Sequence, residues 1–99
     1  MNIKNLHEKV RELIDATEEE KYEIRGKTKN FRVIQRYTRN SNDELEEVFV
    51  SSPEISISLI ISSKGSSVTI VKHGKIEGKS LSEEETKKII DEITKLLSS

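Results

Sequence analysis

The stretch Ile55-Ser56-Ile57-Ser58-Leu59-Ile60-Ile61-Ser62 decides the fold. Ile55, Ile57, Leu59 and Ile61 alternate with Ser56, Ser58 and Ser62, the period of a strand whose one face is buried and whose other face is wet. A strand of this kind needs strands beside it and an apolar layer against its isoleucine face.

Both lie close by in the chain. Downstream, Lys64-Gly65 predicts a turn and Val68 and Ile70 continue the inward face, after which Gly74 marks another turn and Lys75 to Glu77 predict a short last strand. Upstream, Pro53 lacks an amide hydrogen and restricts the residue before it, so a strand over about Glu46 to Ser51 ends there. Asn40-Ser41-Asn42-Asp43 is loop chemistry, because short polar side chains bond nearby backbone. Before it, Tyr22 and Ile24 alternate with Glu23 and Arg25, and Phe31, Val33 and Tyr37 alternate with Arg32, Arg36 and Thr38. This predicts two strands joined around Lys29-Asn30.

The ends of the chain are helical in period. Ile3, Leu6, Val10, Leu13 and Ile14 share one face of a helix over 3–16, with Asn2 as its cap or, for a shorter start, Asn5 with Glu8 three residues on. At the other end, Ser82 followed by Glu85 is a capping box. Ile89, Ile90, Ile93, Leu96 and Leu97 then form an apolar stripe. Neither helix buries its stripe alone, so the expected architecture is an α+β two-layer sandwich of order α-β-β-β-β-β-α. Its antiparallel sheet has four to six strands, and both helices pack on one face. A length of 99 residues fits a single domain over 1–99.

Strict alternation places Ile34, Ile60 and Val71 on the other sheet face, among Ser56, Ser58, Ser62 and Thr69. A small apolar patch in a hydroxyl-rich surface points to a protein partner or to a homodimer through that face. Charge is segregated as well. Residues 21–40 hold seven basic side chains against Glu23 alone, a local +6, while the rest of the chain carries −7. Arg25, Lys27 and Lys29 share a side of the first hairpin, which Arg32 and Arg36 join from the paired strand. Such a cluster suits an acidic partner, either a nucleic acid, with Tyr37 or Phe31 for base stacking, or an acidic protein surface. A solvated edge hairpin, balanced by the acidic residues from Asp43 to Glu47, is the plainer alternative. The sequence pI of about 6.2 argues against a dedicated polyanion binder.

No catalytic motif survives inspection, so a non-enzymatic module without cofactor is expected. It is either a binder acting through the basic hairpin, or a small regulatory, inhibitor or adaptor protein of the kind viruses and plasmids encode. Gly74-Lys75-Ile76-Glu77-Gly78-Lys79-Ser80 has three residues between its glycines where a phosphate loop has four, and Glu83, Glu84 and Glu85 in the following helix would repel a phosphate. His7 and His73 lack metal-ligand spacing, and no serine sits in a nucleophile elbow. There is no cysteine for a disulfide or thiolate. The longest apolar run, Leu59-Ile60-Ile61, is far shorter than the ~20 residues of a membrane span, so a cytoplasmic protein without membrane contact is expected.

Overall fold

The computed structural model describes residues 3–19, 22–39 and 42–98, with the side chains of 3–7 and of Glu18 and Glu19 outside the description. Its elements are α1 (Ile3–Leu13), β1 (Asp15–Glu19), β2 (Glu23–Lys27), β3 (Arg32–Arg39), β4 (Glu44–Ser51), β5 (Ile55–Ser62), β6 (Gly65–Lys72), β7 (Lys75–Leu81) and α2 (Glu83–Ser98). The strands form one antiparallel sheet in chain order, β1-β2-β3-β4-β5-β6-β7. The α+β class is as expected; the sheet is larger, with seven strands in place of four to six.

Two changes account for the difference. The helix expected over 3–16 stops at Leu13, and Asp15–Glu19 pairs with β2 instead. Its polar composition gives it little strand propensity of its own, so the ladder decides. Gly26 admits it, because a Cβ there would lie 2.4 Å from the Asp15 carbonyl oxygen. The last strand is also a full seven residues rather than a short one. The helix begins at Ile3, so the shorter start at Asn5 does not form; the Asn2 cap lies outside the described residues, as do Asn40 and Ser41 of the loop expected over Asn40 to Asp43.

The turns follow their residues. The β6–β7 hairpin closes through His73 and Gly74, with φ of 51° and 76°, the left-handed pair a two-residue turn requires. At the β4–β5 corner the Ser52 hydroxyl accepts from the amides of Glu54 and Ile55, both at 3.3 Å. The expected capping box is present in both halves: the Glu85 amide donates to Ser82 Oγ and the Ser82 amide to Glu85 Oε1, each at 3.1 Å.

One parity of every central strand faces the helices. Ile24, Val33, Val48, Val50, Ile57, Leu59, Ile61 and Val68 form the sheet's contribution to the core, and Val10, Ile14, Ile90, Ile93 and Leu97 close it from the helical side. These pair in register across the sheet, as in Val33 with Val50 and Val50 with Ile57. Each fully buried aliphatic side chain contributes roughly 1.5–3 kcal/mol.

Two polar side chains share this core. Gln35 and Glu46 are both 0% exposed, and the Gln35 amide Nε2 donates to Glu46 Oε1. Glu46 therefore does not belong to the solvated acidic group from Asp43 to Glu47; strand alternation puts it on the side of Val48 and Val50. Burial raises its carboxyl from 4.5 to about 8. Among the described residues, Glu46 Oε2 and Gln35 Oε1 have no hydrogen-bond partner. A proton on Oε2 would turn that oxygen into a donor, the group that the unpaired Gln35 Oε1 lacks.

Unfolded, Glu46 releases this proton near its ordinary 4.5; folded, it holds it to about 8. The stability is fully present below the lower value and is lost as pH rises through the higher one. Chemical denaturation at pH 5 and pH 9 is expected to show a loss of roughly 2–4 kcal/mol across this interval. Glu46→Gln, which keeps the acceptor for Gln35 Nε2 and offers an amide donor without a titrating proton, should flatten that slope and be the more stable protein at pH 9.

Candidate binding face on the open side of the sheet

The helices cover one face, so the opposite parity of each strand lies on the open face. Cross-strand register orders that face into rows. Arg25, Ile34, Phe49, Ser58, Thr69 and Gly78 lie in succession across β2 to β7. Glu23, Arg36, Glu47, Ile60, Ser67 and Ser80 form the row on one side, and Lys27, Arg32, Ser51, Ser56, Val71 and Ile76 the row on the other.

Ile34, Ile60 and Val71 all lie on this face, but in two patches. Phe49 stands opposite Ile34 and diagonal to Ile60, making one patch with an exposed aromatic ring at its centre, 39% accessible. Val71 is removed from it and stands opposite Ile76, which at 74% is the more exposed side chain of the two patches. Neither Phe49 nor Ile76 is among the residues the sequence pattern singles out. The signal for Phe49 is its place between the inward Val48 and Val50.

The basic residues gather at the β2–β3 end. Arg25, Lys27 and Arg32 rim a shallow groove with Ile34, Phe49 and Ser51 on its floor. Lys29 lies in the β2–β3 turn, beside a second hollow lined by Lys27, Phe31, Arg32 and Pro53. Phe31 is half-buried against the core, and Tyr37 is on the helix-covered side, so neither offers a free ring to this face. Tyr37 packs on Tyr22 with ring centroids 6.3 Å apart. Burial, and a hydrogen bond to Glu44, raise its phenol above the usual value.

The local +6 is largely compensated in three dimensions. Glu23 sits between two guanidiniums, accepting from Arg25 Nε at 3.0 Å on one oxygen and from Arg36 Nε on the other. Arg36 and then Arg25 hold the Glu23 carboxyl below its ordinary value. Arg36 also stands opposite Glu47, and Arg39 pairs with Glu44 at 3.5 Å. Lys21 lies outside the described residues. Among the described residues, the cations left at this end of the sheet without a carboxylate clasp are Lys27, Lys29 and Arg32.

Among the described residues no three His, Cys, Asp or Glu side chains converge on a point that would hold a metal ion. His73 is the corner of the β6–β7 turn, and the side chain of His7 is outside the description. No described helix is long and apolar enough to cross a membrane. Comparison with protein-family models, with curated proteins and with solved structures finds no match.

The clasp is testable by charge presentation. Glu23→Gln frees two guanidiniums on the open face, whereas Glu92→Gln removes the same formal charge from the exposed side of α2. On a cation exchanger at neutral pH, Glu23→Gln should be retained longer than Glu92→Gln. Co-elution of the two would contradict the masking of Arg25 and Arg36.

Proposed function

We propose that the protein is a non-enzymatic binding module whose working surface is the open sheet face, and that its partner is a protein presenting an apolar patch beside acidic side chains. The single observation that carries this reading is the groove in which Arg25, Lys27 and Arg32 rim the exposed Phe49 and the half-buried Ile34. Aromatic and arginine side chains are the residues that dominate protein interfaces, with polar groups at the rim. Here Ser56, Ser58 and Thr69 lie beside Phe49 on the open face.

A nucleic acid fits this face less well. Glu23 and Glu47 lie in the row adjoining Arg25 and Phe49, and an extended polyanion would run against them. One outward aromatic ring also gives a single stacking platform, where strand-tracking proteins use several. The same face therefore favours a compact partner that engages the cationic corner and the Phe49 patch together.

Capture from cells with immobilised protein tests the reading, comparing wild type with Lys27→Glu/Arg32→Glu, with Phe49→Ser and with the control Lys88→Glu on α2. The expected result is a protein retained by wild type and by the control, resistant to nuclease, and reduced at least about tenfold by either open-face variant. Loss on nuclease treatment would assign the face to nucleic acid. Equal retention by all variants would place the working surface elsewhere.

A further inference from the structure

The two edges of the sheet differ. Strand β1 has five residues, carries a bulge between Ala16 and Glu18 and is acidic, which are devices that discourage a further strand. Strand β7 is longer, regular through its whole pairing with β6 and exposed from Lys75 to Ser80. It contains neither bulge nor proline.

The tight β6–β7 turn fixes which backbone groups of β7 point outward. In a two-residue hairpin the closing pair, here Lys72 and Lys75, exchanges both hydrogen bonds, and the alternation runs on from there. Lys75, Glu77, Lys79 and Leu81 therefore bond to β6, and the N–H and C=O groups of Ile76, Gly78 and Ser80 face away from it.

We propose that two copies of the chain pair through β7, antiparallel about a two-fold axis at Gly78, to form one continuous sheet. In this register Gly78 meets Gly78 of the second copy, and Ile76 meets Ser80 on either side. Each of these pairs exchanges two main-chain hydrogen bonds. The side chains agree with it. On the helix side Glu77 of each copy stands opposite Lys79 of the other, giving two opposite-charge cross-strand pairs. Lys79 donates to Glu85 at 2.8 Å, and its ammonium has further donors for Glu77 of the second copy. The neighbouring registers that keep the same outward groups put Glu77 against Glu77, or Lys79 against Lys79, at the axis.

Glycine at the centre leaves the axis unobstructed by side chains. The two-fold is perpendicular to the sheet, so both helix layers lie on one side and both open faces on the other. The interface is isologous and closes at two copies, because each copy has a single β7 edge.

Sedimentation equilibrium from micromolar to millimolar protein is the test, with folding of each variant verified by its thermal transition. Wild type should show a reversible monomer–dimer equilibrium. Glu77→Lys should weaken it at least about tenfold, since two attractive pairs become repulsive, and adding Lys79→Glu should restore it. Gly78→Pro removes the amide at the axis without touching a bond to β6, and should be monomeric throughout. Wild type that stays monomeric at millimolar concentration would overturn the proposal. So would a dimer that Glu77→Lys and Gly78→Pro leave unchanged.

Discussion

From β2 to β7 an unbroken antiparallel register hands the same parity from strand to strand, and the core is built on it. From Ile24 through Gln35 and Val48 to Leu59 and Val68, each inward residue is paired with an inward residue of the next strand. A slip of one residue at any step would carry the rest of the core to solvent. Each strand pairs only with its neighbours in the chain, and among the described residues no segment crosses to cover the second face. Two helices then suffice for one side. The other side stays open by topology, before any question of function arises.

The buried Gln35–Glu46 pair belongs to the same constraint. Glu46 stands opposite Tyr37 on one side and Ile61 on the other, inside a ladder that leaves it no outward choice. The carboxyl meets burial by retaining its proton, and the amide beside it offers the complementary donor and acceptor. The open face has the reverse chemistry: Glu23 clasps two arginines, which hold its carboxyl below the ordinary value. One sheet thus carries a neutral hydrogen-bonded pair on its covered side and an ionic one on its open side. Burial decides which is which.

Much of this was legible. The alternation of Ile55 to Ser62 gives β5 and both of its faces, and Ser82 with Glu85 gives the start of α2. The outward positions of Ile34, Ile60 and Val71 follow from the same parity. Strand β1 was not legible, because Asp15-Ala16-Thr17-Glu18-Glu19 has the composition of a helix end or a loop, and only the ladder beside Gly26 makes it a strand. Glu46 was misplaced because its acidic neighbours suggested a solvated group, although its spacing from Val48 and Val50 pointed inward. The charge count of residues 21–40 overstated the basic patch, since pairing with Glu23, Glu44 and Glu47 is a three-dimensional property that a linear count omits.

Among the described residues the sheet is covered on one face only, with Phe49 and Ile60 exposed on the other and Ile34 and Val71 half-buried beside them. Attenuation of side-chain NMR signals by a soluble paramagnetic chelate measures this residue by residue. Strong attenuation is expected at Phe49 and Ile60, with Ile57, Leu59 and Ile61 of the same region protected. Equal protection of Ile60 and Leu59 would contradict it, for the second face would then be covered.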